Sequence, residues 1–471
     1  MNTLRKPNRT RSEIVAFGAY SAFTSFLAFI FYSRWKWAMP DAPYLSQLTS
    51  IDIVKSALNG DYGPLVNAFS RFDGEHKLWI YYVYLYLDAR FMDFSTITEI
   101  AIWTISSSAI VLAIGWYCIR VFSIGFWDLR FLFLLVIPAT GMSTAFFPGR
   151  GMETQIQIST SIAVLIILLV HTKLPLKYFS PIAFTVAGIY TILFSGSYFL
   201  GLFFALTITS LCAPLLSLGT PVARTRLYLM TGSVALWGGA YVFMMKVYAS
   251  SSASNPAKSL ELLVSDPGFS LRYFLNAFAA TVMTLNTGEK FRENFELLAP
   301  FCGALVLILT SILLTHCILS ARSKRYLLIP LLLVTYPIGI VLAVFLGRNS
   351  DPFQLLNIWY SFHFRLWIDG LVILAVVSTT FRVFSRQKIL RLITIAVAAS
   401  LLFVFGTAAQ YQWTRNVHER AYFGMIRNYE LGGNPEKLGS WPGLTPIYLD
   451  PASSRHAIEF LQEYELVPFD R

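Results

Sequence analysis

Nine stretches of this chain contain no Asp, Glu, Lys or Arg and are closed by charges: 14–33, 100–119, 131–149, 154–172, 178–223, 227–245, 297–321, 326–347 and 392–414. Most match the roughly 20 residues that an α-helix needs to cross the hydrocarbon of a bilayer. Window 178–223 is twice that length and carries Ser195-Gly196-Ser197 at its middle, so it reads as two helices joined by a tight turn. A further span runs from about Trp359 to Phe381, interrupted by Arg365 and Asp369. The pattern predicts an all-α, polytopic bundle of about 11 spans. A chain that is 55 % hydrophobic and 13 % charged does not suit two or three soluble domains.

Charge orients the bundle, because cytoplasmic loops retain Lys and Arg. With the N-terminus inside, segments 1–13, 120–130, 171–177, 218–226, 320–325 and 382–391 face the cytoplasm. They hold 17 of the 37 Lys/Arg and, as acids, only Glu13 and Asp128. The high net charge of +11 is therefore an orientation signal, and it gives no reason to expect nucleic-acid binding. Arg5, Lys6, Arg9 and Arg11 precede the first window without a small-residue cleavage site, which predicts an uncleaved first span. Cys118, Cys212, Cys302 and Cys317 lie in or at the ends of spans, so neither a disulfide framework nor a metal site is expected.

This orientation divides the chain into a membrane bundle, 1–409, with outer loops 34–99, 249–296 and 347–358, and an outer C-terminal tail, 410–471. The first outer loop has its own architecture. A short helix is expected from Ser50 to Leu58, stopping at Asn59-Gly60, and the aromatic stretch Leu78 to Phe94 is too short and too flanked by charge to span. The apolar window 273–288, only 16 residues long, is expected to be re-entrant or interfacial. The tail carries Gly-Pro turns and a helix-like stretch from Ser453 to Tyr464.

Between the two pieces of the first outer loop lies Arg71-Phe72-Asp73-Gly74-Glu75-His76-Lys77, with two carboxylates, an imidazole and two cations in seven residues. Trp79, Tyr81, Tyr82, Tyr84 and Tyr86 follow, side chains that suit a membrane–water interface. The other polar outliers, Arg150, Glu153, Arg348, His363, Arg365 and Asp369, fall at the same ends of their spans. Charges there are costly unless they face water, a partner or a substrate, so a shared outer cavity is the economical arrangement. Gln155 and Gln157 would line its mouth or simply cap their helix. A carboxylate in that cavity can act as base toward a hydroxyl, and an arginine can clamp a phosphate with paired hydrogen bonds. The combination suits transfer from a phosphate-linked, membrane-embedded donor to a hydroxyl acceptor.

The Asp73-Gly74-Glu75-His76-Lys77 stretch, the Met152-Glu153-Thr154-Gln155-Ile156-Gln157 start of the fourth span and the Gly347-Arg348 loop resemble a broad group of bacterial polytopic proteins. These are similar to the C-type fold of lipid-phosphosugar-dependent glycosyltransferases. The resemblance implies a multi-pass enzyme of the bacterial inner membrane. It implies inverting transfer of a sugar from a polyprenyl-phosphate donor to a hydroxyl of a cell-surface glycan or lipid. Asp73 or Glu75 would take the acidic role, and Arg348, with Arg150 or Arg365, the phosphate role. His76, Glu153 and His363 would join them in substrate binding. The chain has Asp73-Gly74-Glu75 in place of an Asp-X-Asp triplet, which leaves the base and any metal requirement open. A polysaccharide polymerase or ligase would share the lipid-linked donor, and a transporter or flippase would also want polar groups inside a bundle.

Overall fold

A computed structural model describes residues 7–34, 51–73, 76–77, 79–93, 96–122, 152–248, 256–280, 289–319, 324–347, 358–380, 456 and 459–465. These residues are helical apart from turns and one two-residue hairpin. The apolar windows become α1 (Pro7–Arg34), α5 (Thr96–Phe122), α6 (Met152–Leu169), α7 (Leu176–Gly188), α8 (Phe199–Leu215), α9 (Pro221–Tyr248), α12 (Glu289–Leu319), α13 (Leu328–Gly347) and α14 (Ile358–Thr380). Among them, Thr104–Val121, Leu176–Phe194, Pro221–Tyr248, Leu298–Leu319 and Leu328–Leu346 are long and apolar enough to cross a membrane. The windows 131–149 and 392–414 lie outside the described residues, as does most of the tail.

The double window divides where its glycine stands. Helix α7 runs on as a π-helical segment, Ile189–Phe194, and the chain turns at Gly196, whose φ of 53° is left-handed, before α8 begins. The bundle is built around α13. It is the most apolar of the long helices and 83 % buried, as expected of a helix that is hydrophobic all round. Small residues let its neighbours approach closely. A Cβ added at Gly339 would sit 2.8 Å from the Gly201 carbonyl oxygen of α8, and one at Gly370 of α14 would meet Val334 at 2.7 Å. The same device joins α1 to α5, where the ring of Phe17 lies over Gly115 and the Ser25 hydroxyl is hydrogen-bonded to that of Ser108.

One end of the bundle is cationic. The Arg226 guanidinium donates to the Thr172 and Leu174 carbonyl oxygens and lies 5.7 Å from the Phe179 ring centre. The Gly219 amide donates to the Lys324 carbonyl at 3.1 Å, and the His171 ring meets Tyr117 edge-on at 5.6 Å. The loops 170–175, 216–220 and 324–327 are thereby tied together at the foot of α5. The antiparallel pairing of α1 with α5 adds the start of α1. Arg11, Arg120, Lys173, Lys177, Arg224, Arg226, Lys324 and Arg325 gather here, and among the described residues Glu13 is the only acid.

The segment after α9 forms α10 (Pro256–Ser265) and α11 (Pro267–Ala279). Asp266 caps α11 by accepting from the Phe269 amide at 2.9 Å. At 13 residues, α11 is about 20 Å long, too short to cross. It nevertheless enters the bundle: Tyr273 packs edge-on against Phe345 at 5.1 Å and Phe278 against Trp367 at 4.8 Å. This is the arrangement expected of a re-entrant piece covered by protein. Residues 281–288 of the predicted window lie outside the described set.

At the end opposite the cationic loops, residues 51–91 build a second core. Helix α2 (Ile51–Leu58) stops as its sequence predicts, with Gly60 at φ 89° and the Gly60 amide bonded to the Ala57 carbonyl at 3.1 Å. Helices α3 (Gly63–Asn67) and α4 (Trp79–Phe91) pack on it, and the Trp79 indole donates to the Leu65 carbonyl at 3.0 Å. The C-terminal helical residues 459–463 complete this core. Phe460 and Leu461 are 1 % and 0 % exposed among Ile53, Val54, Leu85 and Ala89. His456 meets Asp52 at 2.9 Å, the Tyr464 hydroxyl donates to Asn59 at 2.9 Å, and Lys55 pairs with Glu463, which raises the Lys55 pKa.

Two outcomes test this packing. A Cβ at Gly303 of α12 would fall on the Leu275 backbone carbonyl, which cannot swing away, whereas one at Gly232 meets nothing within 4 Å. Gly303→Val should abolish the thermal transition of the purified protein in detergent, and Gly232→Ala should leave it in place. Phe460→Ala should destabilise the second core by about 3–5 kcal/mol. Limited proteolysis in proteoliposomes would read this as cleavage within residues 51–91.

Candidate functional site

The polar stretch between α3 and α4 supplies the two strands of the hairpin. Phe72–Asp73 (β1) pairs antiparallel with His76–Lys77 (β2), so the backbones of Asp73 and His76 stand opposite each other. A ladder this short needs an anchor. Phe72 supplies one: its ring meets Tyr241 of α9 at 5.6 Å, and Tyr241 meets Phe199 of α8 at 5.4 Å. Strand β2 rests on the turn Gly196–Tyr198 that joins the two halves of the long window. The hairpin is thus fixed to the bundle from both sides, at the end away from the cationic loops.

Beneath that turn lies a buried polar cluster drawn from three helices and the turn itself. His363 of α14 is fully buried. Its Nδ1 lies 3.0 Å from the Tyr336 hydroxyl of α13 and 3.2 Å from Thr160 Oγ1 of α6. Thr160 in turn donates its hydroxyl hydrogen to the Ile156 carbonyl at 2.8 Å. The Tyr198 ring packs against the imidazole at a 43° tilt, with centroids 4.6 Å apart. Tyr190 of the π-helical segment borders Tyr336, and Ser159 borders Tyr190. Gln155, from the first turns of α6, donates to the Phe194 carbonyl at 3.0 Å, tying α6 to the end of the π-helical segment. A π-helical turn widens the backbone and leaves a carbonyl to be satisfied, and such turns recur at functional sites.

The residues singled out in the sequence distribute as follows. Asp73 and His76 lie on the hairpin, whose backbone is held against Gly196–Tyr198. His363 lies on the other side of the same turn, against the Tyr198 ring. Glu153 opens α6 one turn before Gln155 and Gln157, both of which are buried. Arg365 belongs to α14, two residues beyond His363, and Asp369 is buried at the middle of that helix. Glu75, Arg150 and Arg348 lie outside the described residues. Asp73, His363 and the start of α6 therefore converge on one end of the bundle.

Thr160, Tyr190, Tyr198 and Tyr336 were not singled out in the sequence. Thr160 carries a usable signal, since Ile156, Thr160, Ala163 and Ile167 recur at helical spacing and all are buried. The tyrosines carry none, because an aromatic residue in an apolar window reads as core. Among the residues searched, no group of three or more His, Cys, Asp or Glu side chains is arranged to hold a metal ion. Comparison of the chain with known protein families, with curated proteins and with solved structures found no match.

Proposed function

We propose that this chain is a membrane glycosyltransferase that moves a sugar from a polyprenyl-phosphate donor to a hydroxyl of a cell-surface glycan or lipid. The observation that carries the reading is the seating of the Asp73 hairpin on the Gly196–Tyr198 turn, directly over the His363 cluster. It supports a site in which an outer-loop carboxylate and buried hydrogen-bonding groups face one substrate from opposite sides. In this reading the acceptor oxygen attacks the sugar anomeric carbon, its proton passes to Asp73 or Glu75, and the lipid phosphate leaves. Arg348, Arg150 or Arg365 would hold the phosphate, and a guanidinium suits it because it offers two parallel N–H bonds to its oxygens. Asp369, buried at mid-helix, favours a second reading as a transporter, since ionisable groups at that depth often couple ions to substrate.

The reading places the bundle in a bacterial inner membrane with about 11 spans, the cationic end in the cytoplasm and the hairpin module outside. The charge of the loops around Arg226 supports that orientation. Single-cysteine variants at Ser254, Ser323 and Ser440 check it. An impermeant thiol reagent added outside intact cells should label positions 254 and 440 and spare 323, and labelling of 323 alone inverts the topology.

Mass spectrometry of surface glycans and lipid-linked sugars from cells with and without the gene should reveal one missing sugar and an accumulated donor. In single-turnover transfer by purified protein, Asp73→Asn or Glu75→Gln should slow the chemical step by roughly 100- to 10,000-fold while donor binding persists. Near-normal rates in both would remove the hairpin acids from the mechanism. An unchanged glycan profile accompanied by lost ion-coupled uptake would favour the transporter.

A further inference from the structure

The foot of α7 and α9 carries positive charge that the described residues do not neutralise. Arg226 is 7 % exposed, and its two terminal nitrogens donate to the Thr172 and Leu174 carbonyl oxygens. Its Nε hydrogen has no acceptor among the described residues. Carbonyl oxygens satisfy hydrogen atoms but carry only partial charge, so this buried cation still lacks a counter-ion, which makes its burial costly. Further cations surround it. Lys173 lies between the two residues whose carbonyls hold Arg226, Lys177 is the second residue of α7, and Arg224 stands two positions before Arg226 in α9. The hydrogen bond from the Gly219 amide to the Lys324 carbonyl brings Lys324 and Arg325 to the same loops. None of these cations is paired with a carboxylate among the described residues.

The same surface is apolar beside its charges. Leu176 and Tyr178 of α7 and Val222 and Tyr228 of α9 are exposed, and the Lys177 ammonium lies 4.8 Å over the centre of the Tyr178 ring. These residues belong to the first turns of two helices long and apolar enough to cross a membrane. That position puts the cations at the depth of lipid headgroups, with tyrosines at the boundary and aliphatic side chains toward the acyl region. We infer that the foot of α7 and α9 binds the phosphate headgroup of an anionic membrane lipid, which serves as the counter-ion of the Arg226 clamp. A soluble anion matches the charge and leaves Leu176 and Val222 in water, whereas an amphiphile matches both. The bound lipid would stabilise the fastening of α9 to the α6–α7 connection, so the stability of the bundle should depend on lipid charge. This inference is independent of the transferase reading.

The test uses full-length protein in nanodiscs of phosphatidylcholine alone and of phosphatidylcholine mixed with phosphatidylglycerol. Thermal unfolding and native mass spectrometry should show a higher midpoint with phosphatidylglycerol and its retention in preference to phosphatidylcholine, both weakened by high salt. Each Lys or Arg near an anionic headgroup is worth about fivefold in affinity. The triple variant Lys173→Gln, Lys177→Gln, Arg224→Gln leaves Arg226 in place. It should weaken phosphatidylglycerol binding roughly 100-fold and remove the shift in midpoint. Lys177→Gln alone should read as about a fivefold loss, so the test does not depend on the triple variant folding. Arg90→Gln with Lys246→Gln, at the opposite end of the bundle, should keep the preference. Equal midpoints in the two lipids, wild-type preference in the triple variant, or an equal loss in the Arg90/Lys246 variant overturns the inference. Inorganic phosphate that raises the midpoint as much in phosphatidylcholine nanodiscs would assign the site to a soluble anion and overturn it as well.

Discussion

A charged side chain at the centre of a bilayer-spanning helix costs about 2.5–3.5 kcal/mol even by the more lenient scales. That penalty governs the distribution of charge in this chain, and most of the architecture follows from it. Uncharged windows become helices that share one core. Charges collect in the connections, and the connections of one end are almost purely basic. Arg226 illustrates how the rule is bent at its edge. It is 7 % exposed, yet its guanidinium serves as a cap for the carbonyls of Thr172 and Leu174 that the end of α6 and the following loop leave open. A cation buried there costs less than one at mid-helix, and it fastens α9 to the α6–α7 connection.

Because lipid offers no hydrophobic drive between helices, the bundle depends on close backbone approach at Gly201, Gly303, Gly339 and Gly370. The glycines concentrate around α13 and α14, the helices that carry Tyr336 and His363. Helices that meet backbone to backbone leave little room for side chains to repack, so the Tyr336–His363 pair is held rigidly between them. Pro337 removes a backbone amide one residue after Tyr336, which loosens α13 locally at the level of the polar cluster. Rigid contacts and one local irregularity are what a binding group needs if it is to be positioned by helices and still be reached.

The fold was legible from the sequence wherever the signal is local. Most of the uncharged runs, the Ser195-Gly196-Ser197 break and the Asn59-Gly60 stop depend on neighbours within a few residues, and those within the described residues appear as expected. What was not legible depends on pairing across hundreds of residues. Phe460 and Leu461 read as part of a polar tail, because nothing near them says that Ile53 and Val54, some 400 positions earlier, are missing a layer. The tail's end is accordingly part of the first-loop module rather than a unit by itself. His363 was picked out as a polar residue at the end of its span, and the structure buries it. Its partners Thr160 and Tyr336 belong to other helices, and hydroxyl groups within an apolar window give no sign of what they face.

That long-range closure bears on the chemistry. The Asp73 hairpin has only a two-residue ladder and an aromatic anchor on Tyr241, so its position depends on the module that continues from both of its ends, α3 before it and α4 after it. The module is small, and without Phe460 and Leu461 its core would lack one face. The helical residues 459–463 thus support the module that continues into the hairpin, while α13 and α14 hold the His363 cluster beneath the Gly196–Tyr198 turn. A site assembled from two separately stabilised halves has a natural line of opening between them, along the Gly196–Tyr198 turn. Its parts are tied by ring contacts and hydrogen bonds rather than by a continuous helix.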